Sequence, residues 1–115
     1  MDKQLRRKFR EYNAKYFGGR LEAVVDWHYE IPGERIGGCH IHGIGKCSEI
    51  PESYGKCPGK NLILINTSLW ELEQIALFTL LHEMVHLDVA PSNHGPEFQA
   101  GMLRLAKLGT FRNLW

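Results

Sequence analysis

The chain has 115 residues, a net charge of +1, 43% apolar and 23% charged residues, which predicts one domain with a real core and gives no global basic field of the kind that marks a nucleic-acid binder. The charged N-terminus has no apolar h-region, and no run nears the ~18 apolar residues of a membrane span. Cys39, Cys47 and Cys57 are odd in number and no pair has the two-residue spacing of a zinc knuckle or redox pair, so a reduced, cytoplasmic protein is expected.

In residues 3–17, Leu5, Phe9, Tyr12 and Tyr16 recur at helical spacing while Lys3, Arg6, Arg7 and Arg10 fall mainly on other faces. This predicts an amphipathic helix, stopped by Gly18 and Gly19. Its basic face reads as solvated. Residues 22–31, EAVVDWHYEI, are rich in β-branched and aromatic residues and predict a strand. RIGGCHIHGIGKC (35–47) reads as a glycine-weakened strand or hairpin that another backbone approaches closely. Residues 48–60 have two prolines, two glycines and no period, and read as loop. NLILIN (61–66) predicts a short apolar strand. Ser68 and Glu71 fit a capping box for a long helix from Leu69 to Val89, about 30 Å long and ended by Pro91. Between Ile75 and Leu81 it is apolar nearly all round, as a central buried helix would be. Pro96 and Glu97 suit the start of a last helix with a core stripe of Phe98, Met102 and Leu105, ended by Gly109. The order predicts an α+β fold: a small antiparallel three-stranded sheet packed with three helices.

The chemistry concentrates in LHEMVHLDVAPSNHGPEF, residues 81–98. His82 and His86 are four apart on the predicted helix and therefore share one face. Two imidazoles so placed converge on one metal ion, and Glu83 beside them is positioned as a general base: the H-E-x-x-H pattern. Chance alone produces that pattern in roughly three chains per hundred of this composition, so its context matters. Here it sits on a buried helix, where ionisable groups need partners. A catalytic zinc takes three protein ligands and keeps a position open. His94, after the turn Pro91–Ser92–Asn93 and before Gly95, is the leading third ligand; Glu97 is its rival, although the helix dipole already explains an acid there. Cys39, His40 and His42 also cluster, and the simple reading is a buried cysteine on an alternating strand. A second zinc site from Cys39, Cys47 and Cys57 lacks the usual spacing.

The sequence resembles the SprT-like zinc metalloproteases, whose relatives include bacterial SprT proteins and Spartan proteases. YNAKYFGGRL (12–21) resembles that family's first helix and glycine exit, and VVDWHYEIPGERIGGCHIHG (24–43) its first two strands. LLHEMVH (80–86) resembles its zinc helix and HGPEF (94–98) its third-ligand segment. Together these cover most of residues 5–108. The resemblance implies that His82, His86 and His94 hold one Zn²⁺ and that Glu83 is the catalytic base. It implies one zincin-like domain over residues 1–115. The chain departs from that pattern in two expected respects: only seven residues separate His86 from His94, which predicts a minimal rim, and no Cys-rich zinc ribbon is expected after the core.

The expected activity is that of a zinc-dependent endopeptidase acting on flexible or unfolded polypeptide. Nucleic-acid binding is expected to be weak at most, with no membrane partner and a monomeric state. Segment 37–45 would offer an edge to an extended substrate strand, and Tyr54 and His42 are candidates to stabilise the oxyanion. Two other classes are weighed. One is a deformylase-like hydrolase with Cys39 as a ligand. The other is a latent, metal-stabilised module that binds nucleic acid or protein through the basic first helix.

Overall fold

A computed structural model of the chain describes residues 2–31, 35–42, 50–89 and 94–111. Cys47 and the turn residues Pro91, Ser92 and Asn93 lie outside them. The elements are helix α1 (Asp2–Tyr16), strands β1 (Val24–His28), β2 (Gly37–His40) and β3 (Leu62–Asn66), and helices α2 (Glu73–Asp88) and α3 (Pro96–Lys107).

The sheet has the order β1-β3-β2. β3 pairs antiparallel with β2 but parallel with β1, so the sheet is mixed and not the purely antiparallel one expected. The apolar sequence of β3 explains its central place. Leu62, Ile63, Leu64 and Ile65 are all buried, as in a strand covered on both faces. The connection across residues 29–61 is long enough for the crossover that a parallel β1–β3 pair needs.

The two faces of β3 belong to two cores. Ile63 and Ile65 join the large one with Leu5, Phe9, Leu80, Leu81, Met84, Phe98 and Leu105. Leu62 and Leu64 join a small one with Ile31 and Ile50, flanked by Tyr54 and Cys57. The helices supply the first core, and segment 50–61 helps to close the second.

α1 ends where Gly18 and Gly19 take positive φ. The Gly19 amide donates to the Asn13 carbonyl at 2.8 Å, and the Asn13 side chain donates to the Leu21 carbonyl and accepts from its amide. The exit to β1 is thus fixed by one asparagine and two glycines. Arg6 joins α1 to β1 by donating to the Val25 carbonyl and pairing with Asp26.

The long helix starts later than its sequence suggests. The expected Ser68–Glu71 capping box does not form. Asn66 instead caps a 3₁₀ turn, Thr67–Leu69, by accepting from the Ser68 amide at 2.9 Å, and α2 begins at Glu73 after Leu72 with no side-chain cap. Asn66 ends a strand and already faces the turn, so it takes the capping role first. At 16 residues α2 is about 24 Å long. Ile75 is exposed, whereas Ala76, Leu77, Thr79, Leu80 and Leu81 are buried. The last helix begins at Pro96 as expected; Phe98 and Leu105 are buried and Met102 partly so.

β2 lies against α2 because Gly37 has no side chain. A Cβ there would sit 2.6 Å from Thr79 Cγ2 and 3.5 Å from Glu83 Cγ. α3 approaches α2 in the same way, since a Cβ on Gly101 would sit 2.8 Å from Val85 Cγ1. The Gly37→Ala variant should lose about 1–3 kcal/mol by overpacking. Thr79→Ser removes the clashing methyl and keeps the hydroxyl, which donates to the Ile75 carbonyl. Denaturant unfolding of the single and double variants should therefore show non-additive losses. Additive losses would mean that the clash at Thr79 is not what Gly37 avoids.

Candidate metal centre

α2 carries His82 and His86 on one face, one turn apart, with ring centroids 4.9 Å from each other. The chain beyond α2 returns, and His94, just before α3, meets them. His94 Nε2 lies 3.1 Å from His86 Nε2 and 3.2 Å from His82 Nε2. The three rings form one group of potential metal-binding side chains, two of them half-buried and His94 exposed. Two nitrogens at 2.0–2.1 Å from one tetrahedral ion are about 3.3 Å apart. The spacing here is close to that, so the three imidazoles fit a single small cation.

Two features of α3 hold this arrangement, and both escape a reading of the sequence alone. Phe98 packs its ring against all three imidazoles, with centroids 4.9, 4.3 and 4.8 Å from His82, His86 and His94. The sequence marks Phe98 only as core, by its helical spacing. Gln99 Nε2 donates to the His94 carbonyl at 3.0 Å, which ties the third histidine's backbone to the helix that follows. A polar residue in a first turn gives no sign of that role.

Glu83 is buried, at 5% exposure. It lies on the side of α2 that meets Gly37. Burial pushes its carboxyl up to about 7, partly opposed by the Arg35 guanidinium. His82 is shifted down, first by burial and then by His94. This favours the neutral imidazole, the form that binds a metal.

The rival candidates stand elsewhere. Glu97 is exposed in the first turn of α3 and is not part of the histidine group. Cys39 belongs to neither cluster of potential ligands among the described residues. Its thiol is pushed up to about 12 by burial and then by the Glu83 charge, and its separation from the His82–His86–His94 group counts against the deformylase-like arrangement, where it would be a ligand. The Tyr54 hydroxyl donates to Asp26 at 2.5 Å, and His42 groups with His40 and Cys57, so the two candidates for the oxyanion are engaged in other contacts.

The model of the SprT-like family matches residues 5–113. The chain belongs to the SprT-like family. No individual curated protein and no solved structure matches it. Membership spans α1 through α3, so both the helix with His82 and His86 and the segment with His94 fall within the matched region. Among the described residues of this SprT-like chain, no helix is long and apolar enough to cross a membrane.

Alanine at His82, His86 or His94 should each abolish tight binding of one metal equivalent, measured by elemental analysis after dialysis, whereas Glu97→Ala should keep it. Gln99→Ala should weaken that binding about 10-fold, as loss of an outer hydrogen bond to a ligand does, with little change in melting temperature because Gln99 is exposed. Unchanged affinity would show that His94 is held by other means.

Proposed function

We propose that the chain is a zinc-dependent endopeptidase. The observation that carries this reading is the convergence of three imidazole nitrogens, 3.1 and 3.2 Å apart about His94, on a helix where a buried carboxyl follows the first histidine. Family membership supports it. His82, His86 and His94 would hold the ion. Zinc so held supplies Lewis acidity, which acidifies attacking water and polarises the scissile carbonyl.

The chain's own groups carry the remaining chemistry. Glu83 accepts the proton of the attacking water as its oxygen bonds to the carbonyl carbon. It returns that proton to the amide nitrogen as the C–N bond breaks. Phe98 limits the motion of all three rings, so little reorganisation is needed. β2 is an outer strand of the sheet and passes beside Glu83 at Gly37. An extended polypeptide pairing with that edge would run past the site. Flexible or unfolded chains suit this mode, since they present a free backbone.

The basic first helix supports the nucleic-acid reading less well than its sequence suggests. Arg6 is engaged with Asp26 and the Val25 carbonyl, leaving fewer cations for phosphate.

Glu83→Gln should lower hydrolysis of an unfolded casein-like substrate by about 10²–10⁴-fold while metal content and fold persist. Equal fragment patterns from wild type and variant would exclude Glu83 as the base. Cleavage by neither, with zinc bound and DNA supplied, would favour a latent module.

A further inference from the structure

A second group of potential ligands sits on the opposite face of the sheet. Residues alternate along β2, so Gly37 and Cys39 share one face and Gly38 and His40 the other; His42, just beyond the strand, groups with His40. The register agrees: Cys39 pairs with Ile63 of the large core, and His40 with Leu62 of the small one. Cys57 reaches the same place from segment 50–61, where it packs against the small core. One donor atom from each of His40, His42 and Cys57 lies within 4.8 Å of both others.

Two independent features point to a ligand. His40 is 9% exposed, and both its ring nitrogens are buried without a hydrogen-bond partner among the described residues. Leaving a buried polar group unsatisfied costs about 1–3 kcal/mol, so an imidazole with both nitrogens in that state needs explaining. The second feature is distance. Cys57 Sγ lies 3.6 Å from His42 Nδ1. A sulfur at about 2.3 Å and a nitrogen at about 2.0 Å from one tetrahedral ion are about 3.5 Å apart. A thiol–imidazole contact alone would account for Cys57 and His42, but not for His40.

We propose that His40, His42 and Cys57 form a second metal site, separate from the His82–His86–His94 group, for a borderline or soft transition ion such as zinc. Two imidazoles and a thiolate suit such ions. The Cys57 thiol would release its proton to solvent on binding. His42 also lines an open groove with Phe9, Arg10 and Asn61, which gives an ion access from solvent. The bound ion would fasten the end of the outer strand β2 to segment 50–61. The site therefore acts on the placement of β2, and it does not depend on the chain being a peptidase.

Cobalt(II) titration of the full chain, after chelation, tests this without any activity measurement. The three-histidine group has no sulfur, so a near-ultraviolet sulfur-to-cobalt charge-transfer band reports the second site alone. Wild type should bind two cobalt ions per chain and show that band. Cys57→Ser and His42→Ala, at partly buried and exposed positions, should each bind one ion and lose the band. Cys39→Ser should keep it, as should the variant with alanine at His82, His86 and His94. One cobalt per chain with no sulfur band in the wild type would overturn the proposal. So would a band that survives Cys57→Ser and disappears in Cys39→Ser.

Discussion

The close approach of β2 to α2 at Gly37 is the contact on which the rest of the structure depends. Any larger residue would meet Thr79 and Glu83. With glycine, the helix lies on the sheet, and Glu83 is enclosed between them. The same contact orients the two faces of β2. One carries Cys39 toward α2 and the large core. The other carries His40, with His42 just beyond the strand, toward Cys57. A single residue without a side chain thus positions both clusters of potential ligands.

Burial then determines the electrostatics. α2 is the most enclosed helix, yet it carries His82, Glu83 and His86 in its second half. Desolvation disfavours charge on Glu83 and His82, which explains why Glu83 is shifted up and His82 down. An apolar ring, Phe98, lies against all three imidazoles. It occupies space that solvent would otherwise take and holds the rings against rotation. The site's polar groups are therefore arranged at a cost in solvation, which a cation at the point where the rings meet would offset.

Much of this was legible in the sequence, for identifiable reasons. His82 and His86 share a face because helical spacing puts them there, and the helix was long and strongly patterned. Pro91, Ser92, Asn93 and Gly95 suggest that the chain turns after the helix, and His94 does lie beside both helix imidazoles, although residues 91–93 lie outside the described residues. Strand direction was not. β1 and β3 are parallel, and nothing in a five-residue apolar strand specifies its neighbour's direction. The helix starts later than the local pattern suggests: Ser68 and Glu71 match a capping box, but Asn66, at the end of β3, takes the cap first. For the second cluster, the spacing of His40 and His42 was visible, but Cys57 comes from a distant loop. Only the fold, with the small core on one side of β3, brings it there.

The most direct measurement is an anomalous-difference map from crystals of the zinc-loaded protein, collected on both sides of the zinc absorption edge. A peak is expected at the meeting point of His82, His86 and His94, with three nitrogens at about 2.0–2.1 Å and one position left open. A zinc-loaded crystal with no peak there, or with a peak ligated by Cys39 in place of His94, would contradict it.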